Sequence, residues 1–332
     1  MIFQPAIIAL LLASLVTTAM VGAAAVFGLQ VVRRWDIASG SEAQLRMERR
    51  TYLISTLLAF AFAVEIASLL LFVFNADRMH SQFVGAMCAV GTLNANAWGF
   101  PTVELKIVNF LLGGVWLVLN HVDNRGYDYP LIRVKYGLLL FIAPSLAAET
   151  SVQAAYFLNL KADVITSCCG SLFSSDAKSV AAETAALPPG PAMAGFYSIL
   201  ALTLAAGLAF LRWRRGALAF AGLAGINFLA ALAAVISFIS LYIYEHPHHH
   251  CPFDVIQSGY HYIGYGLYLP LFAATVLGLG VGAVAPFGGV ASLAAVVPEV
   301  TRRLTATAVL LLALFGGVAT YAVLASNLIL FE

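Results

Sequence analysis

The chain has 332 residues, of which 61% are hydrophobic and only 10% charged, with a formal net charge of +1. A soluble domain of this length cannot bury so much apolar surface, and a near-neutral chain without a basic stripe gives nucleic acid no footprint. Lipid accommodates such a composition, which points to an all-α, polytopic transmembrane helical bundle.

A helix needs about 20 apolar residues to cross about 30 Å of hydrocarbon. Eight stretches qualify: residues 5–32, 51–74, 103–120, 131–158, 192–211, 216–244, 261–286 and 304–330. The first reads as a retained span rather than a cleaved signal, because no positive residue precedes it and Arg33 and Arg34 follow it. Residues 33–50 read as a charged polar hairpin. Residues 75–102 are too rich in Gly and Asn to span, yet too apolar from Phe83 to Val90 for a free loop. A re-entrant or interfacial segment covered by protein fits them. These elements make residues 1–160 a four-helix half. Residues 161–191 then form a loop with adjacent Cys168 and Cys169, ending in the linker Leu187-Pro188-Pro189-Gly190-Pro191. Residues 192–332 make a second four-helix half, whose loop 245–260 reads EHPHHHCPFDVIQSGY.

Cytoplasmic loops are enriched in lysine and arginine. With both termini on the exoplasmic side, thirteen of the seventeen basic residues fall inside and only Arg78, Lys106, Lys161 and Lys178 fall outside. That topology places all four cysteines and six of the seven histidines on the outer face of a plasma membrane, the periplasmic face in a bacterium.

His246, His248, His249, His250 and Cys251 form the densest run of metal-ligand residue types, and imidazole with thiolate suits copper, zinc and related ions. Side chains alternate along an extended segment, so His248 and His250 are expected to face together, with Cys251 or Asp254 reached through the Pro252 turn. Cys168 and Cys169 have Cα atoms about 3.8 Å apart, below the usual disulfide range of about 4.4–6.8 Å. That leaves separate partners in Cys88 and Cys251, a labile disulfide, or a dithiolate for a soft metal. Cys251-Pro252-Phe253-Asp254 resembles the Cys-x-x-Cys motif of thioredoxin-like and disulfide-forming membrane oxidoreductases over four residues, with aspartate in place of the second cysteine. The resemblance implies that Cys88 must supply the resolving thiol.

Within the spans, His261, Tyr265 and Tyr268 have the i, i+4, i+7 spacing of one helical face, suited to an aromatic belt or a quinone contact. Glu65 stands alone in its helix, where a carboxylate needs a partner, a proton or water. Glu104, Lys106 and Asn109 open the third span and Glu149 approaches the end of the fourth, so they read with Glu65 as a polar vestibule.

Three functions follow as expectations. The first is exoplasmic binding or hand-over of a soft transition metal, copper foremost. The second is thiol–disulfide or electron transfer with a quinone or haem. The third is a non-catalytic subunit with disulfide-braced loops. Expected partners are the bilayer and other membrane or periplasmic proteins, and whether the protein is an enzyme stays open.

Overall fold

The computed structural model describes residues 3–161, 164–166 and 180–330. Its helices are α1 (Pro5–Arg34), α2 (Glu42–Arg78), α3 (Ala89–Leu93), α4 (Gly99–Asp123), α5 (Ile132–Leu158), α6 (Val180–Ala185), α7 (Pro189–Trp213), α8 (Ala217–Ala234), α9 (Ser240–Tyr244), α10 (Ile263–Val284) and α11 (Val296–Ala325). A π turn, Val235–Ile239, carries α8 into α9. Among the described residues there is no strand beyond the isolated bridge Val84–Ile165.

Among the described residues, eight helices, with α8 and α9 counted as one, are long and apolar enough to cross a membrane. Leu15, Phe60, Phe141, Leu229 and Leu310 are exposed on them. Such surfaces are aggregation liabilities in water and the ordinary outer face of a helix in lipid. The chain is an integral membrane protein.

The sequence signals hold best at helix ends. Pro5 and Pro189 occupy first-turn positions, where no backbone N–H is needed, and Arg33 and Arg34 close α1 at the negative end of its dipole. The expected hairpin over 33–50 is shorter than the sequence suggested, because α2 begins at Glu42. Ser41 Oγ accepts the Gln44 backbone N–H at 3.3 Å, a side-chain cap that starts the helix ahead of its apolar run. Pro144 and Pro270 lie inside α5 and α10, as spanning helices tolerate when neighbouring groups satisfy the freed carbonyls.

The chain divides into two compact units. One comprises Met1–Asn75, Asn96–Lys161 and Ala283–Val300; the other comprises Ala76–Ala95, Ala162–Gly282 and Thr301–Glu332. In the first, Phe27, Trp35, Phe62, Trp116 and Tyr136 build the core, with the Phe62 and Trp116 rings 5.0 Å apart. Lipid removes the hydrophobic drive between spanning helices, so polar contacts and small residues must hold them. Between α1 and α5, Thr18 meets Thr150 at 2.7 Å, and Gln153 donates to Ser14 Oγ at 3.0 Å and to the Leu10 carbonyl at 3.2 Å. In the second unit, α8 and α10 meet through small residues. A Cβ on Gly278 would stand 2.6 Å from that of Ala224, and one on Gly282 2.5 Å from that of Ala221. Glycine four residues apart thus lets the two backbones approach.

Candidate functional site

Cys88 immediately precedes α3, a five-residue helix whose residues are all buried. Cys251 follows α9 in the histidine-bearing loop. Both cysteines are 0% exposed, and their sulfurs are 3.4 Å apart although 163 residues separate them in sequence. A disulfide bond is about 2.05 Å long, so the sulfurs are not bonded to one another. With metal–sulfur bonds of about 2.3 Å, two thiolates on one ion can be at most about 4.6 Å apart. The observed spacing would subtend about 95° at such an ion. A carboxylate oxygen of Asp254 completes the set, and the three ligand atoms lie within 4.8 Å of one another.

The loop is fixed by groups that contribute no ligand. The Tyr244 hydroxyl donates to the Cys251 carbonyl and the Tyr268 hydroxyl to that of Pro252, both at 2.5 Å. The Phe253 N–H points to Cys251 Sγ at 3.4 Å. Gln257 donates to Asp77 Oδ1 at 2.7 Å and to the Met87 carbonyl at 3.5 Å, which ties the loop to the residue preceding Cys88. Ahead of Cys88, Gly85 has φ of +86°, and a Cβ there would stand 2.4 Å from the Thr166 carbonyl oxygen. Only glycine allows both, and the Thr166 N–H closes the contact by donating to Val84 at 2.9 Å.

Asp254 is 5% exposed. Its Oδ2 lies 2.7 Å from His249 Nε2, whereas its Oδ1 makes no hydrogen bond among the described residues. Burial pushes the Asp254 carboxyl above its ordinary pKa; the His249 hydrogen bond opposes that rise and the nearby Cys88 adds to it. The His249 ring rests on Tyr244, with centroids 4.3 Å apart.

The histidine tract is arranged differently from the sequence expectation. His250 turns to the π turn, where its Nδ1 lies 2.8 Å from the Ile236 carbonyl and must donate, and burial lowers its pKa. His246 and His248 are exposed, with ring centroids 6.1 Å apart. The sulfur–sulfur–oxygen set among the described residues includes no histidine. The physical reason is local: one ring satisfies a carbonyl, one braces the aspartate and two face outward. Cys168 and Cys169 lie outside the described residues.

The expected His261–Tyr265–Tyr268 face does not form. His261 and Tyr262 have φ of 54° and 57°, so the helix starts only at Ile263 and His261 stands off it, exposed. Tyr265 is exposed, and Tyr268 holds the Pro252 carbonyl instead.

The intramembrane polar residues make a separate centre within the first unit. Lys106 Nζ lies 2.6 Å from Glu149 Oε1 and 3.6 Å from Glu65 Oε1, and donates to Ser68 Oγ at 2.9 Å. The Ser68 hydroxyl in turn reaches the Glu65 backbone carbonyl at 2.9 Å and Glu65 Oε1 at 3.1 Å, and Asn109 Nδ2 donates to Glu149 Oε2 at 2.5 Å. Glu65 is 2% exposed, Lys106 and Glu149 0% and Asn109 1%. Glu104 is exposed and stands outside this cluster, so the expected vestibule loses one member.

Sequence reading undervalued Asp254 as a ligand and missed Ser68, Tyr244 and Gln257 altogether. Asp254 three residues after Cys251, and Ser68 three after Glu65, are the spacings that carried a signal. No family model, curated protein or solved structure matches this chain.

Proposed function

We propose that the protein binds a thiophilic metal ion through Cys88, Cys251 and Asp254. The observation that supports this most is the buried trio of two sulfurs and a carboxylate oxygen within 4.8 Å of one another. Thiolates select Cu(I) and Zn(II), while the carboxylate tilts the set toward Zn(II). His249 acts as the outer partner that orients the ligating aspartate. The site faces the exoplasmic side of a bacterial inner membrane. Without the buried Lys135 and Lys106 the basic count falls from thirteen against four to twelve against three, and the bias stands. Hand-over of the ion to a periplasmic or membrane protein is the corresponding role.

A second reading is favoured by the His249–Asp254 couple beside the sulfurs, an acid–base pair suited to dithiol chemistry. Two S–H bonds break and one S–S bond forms, and two electrons and two protons pass to a membrane quinone. The alternative acceptor is haem, reduced in two one-electron steps, with the two protons released to water.

Metal analysis and Co(II) substitution of the full-length protein, purified in detergent with reductant, separate the readings. The metal reading expects about one equivalent of Zn(II) or Cu(I), a thiolate-to-cobalt charge-transfer band, and loss of both in Cys88→Ser and Cys251→Ser. His249→Ala should weaken affinity about 10–100-fold. An ion retained by Cys251→Ser, or no binding by the wild type, overturns it. A metal-free wild type whose Cys88–Cys251 bond opens and closes at a defined potential supports the redox reading. A bond resistant to mild reductant indicates bracing alone.

A further inference from the structure

The Glu65–Lys106–Glu149 cluster has a charge count that does not close. Two carboxylates and one ammonium carry a net charge of −1 if all ionise, and the three side chains are 0–2% exposed. An uncompensated charge in such surroundings costs several kcal/mol. Among the described residues, no further cation is at hand on the helices that carry it or on α1. Residues 5–32 of α1 carry no titratable side chain, and Glu65 is the only charged residue between 51 and 76 of α2. On α4 the neighbours are the exposed Glu104 and, near the far end, His121 and Asp123. On α5 they are Arg133, Lys135, Tyr136 and Tyr156. Lys135 is committed to Asp123 and lies fourteen residues, about 21 Å of helix, from Glu149. Tyr156 packs its ring on Phe72, with centroids 5.7 Å apart.

We infer that this cluster is a proton-binding site inside the membrane, holding one exchangeable proton on its pair of carboxyls. A metal cation does not suit it, because the lysine ammonium already occupies the space beside both carboxylates. The hydrogen bonds assign the proton. Glu149 receives two close donors, Lys106 at 2.6 Å and Asn109 at 2.5 Å. Glu65 has the ammonium only at 3.6 Å, and the one Ser68 hydroxyl proton is shared between its Oε1 at 3.1 Å and its backbone carbonyl at 2.9 Å, so the proton resides there. A second position is built in. Asn109 Oδ1 is buried and makes no hydrogen bond among the described residues, while its Nδ2 faces Glu149. Rotation of that amide by half a turn would present Oδ1 to Glu149, an acceptor for a carboxylic O–H in place of a donor to a carboxylate. Ser68 lies between the other two groups, accepting from Lys106 and donating to Glu65. The proton can therefore sit on either carboxyl, with Asn109 turning its Nδ2 to the ionised Glu149 or its Oδ1 to the protonated one.

Infrared spectroscopy of the full-length protein in lipid tests this without reference to metal or thiol chemistry. The wild type at neutral pH should show the C=O stretch of a buried carboxylic acid, shifted in D2O and lost at alkaline pH with release of about one proton per chain. Glu65→Gln should abolish the band, since Glu149 and Lys106 then balance. Lys106→Met should roughly double it, as both carboxyls protonate. No such band in the wild type, alkaline treatment without proton release, or a band unchanged in Glu65→Gln and in Glu149→Gln would overturn the assignment. The first two readouts need no variant to fold.

Discussion

Lys106 and Lys135 are both 0% exposed, both lie within spanning helices and both touch carboxylates at 2.6–2.7 Å. They differ in stoichiometry. Lys135 faces one acid: its Nζ lies 2.7 Å from Asp123 Oδ2 and donates to Asn120 Oδ1 at 3.0 Å, while Asp123 Oδ1 accepts the Leu131 N–H at 2.8 Å. The Lys135 carbonyl also accepts the Trp116 indole at 3.0 Å. Ammonium and carboxylate stand one to one there, and the pair pins the end of α4 to the start of α5 across the 124–131 turn. Lys106 faces two acids and balances only with a proton. Burial alone therefore does not distinguish architecture from a binding site; the charge count does.

The largest effect should come from breaking the balanced pair. Lys135→Met removes one partner of a buried ion pair and should destabilise by about 3–5 kcal/mol, read as lost monodisperse protein or a lower unfolding temperature in one detergent. The Lys135→Met, Asp123→Leu double variant should recover most of that loss, because an apolar pair of similar volume often replaces a buried ion pair at little cost. A double variant as unstable as the single one would mean that packing, not charge, is what Lys135 supplies. Lys106→Met should be milder at neutral pH than Lys135→Met, as its two carboxyls can take up protons, and the gap should narrow as the pH is raised. Glu65→Gln should change stability least, within about 1 kcal/mol, since it converts the cluster to the one-to-one stoichiometry of the other lysine. Equal losses for Lys106→Met and Lys135→Met would erase the distinction.

Much of this was legible in the residues, and its limits are physical. Hydropathy located eight spans because lipid imposes a length, yet it misjudged the start of α2, where a serine cap rather than an apolar run sets the boundary. Glu65 stood out as the lone acid of its helix, and Lys106, Asn109 and Glu149 were singled out beside it. The pairing of Lys106 with two acids was invisible because it joins three helices. Lys135 counted as a cytoplasmic charge, since nothing local marks a lysine as paired. The cysteine contact spans 163 residues and has no periodic trace. The histidine run gave the strongest local signal, but composition cannot say that His250 would be diverted to a carbonyl and His249 to an aspartate.

The π turn at Val235–Ile239 has a consequence in helical register. An α-helix rotates about 100° per residue, so a turn that absorbs one extra residue offsets everything beyond it by that angle. Tyr244, at the end of α9, reaches the Cys251 carbonyl from this offset position. Deleting one residue from the turn would restore regular α-helical pairing and still span the membrane. It would also swing the Tyr244 phenol about 100° around the helix axis, away from the loop it secures. The irregularity thus acts as an angular spacer, aiming a side chain at a neighbouring loop that a regular helix of the same composition would miss.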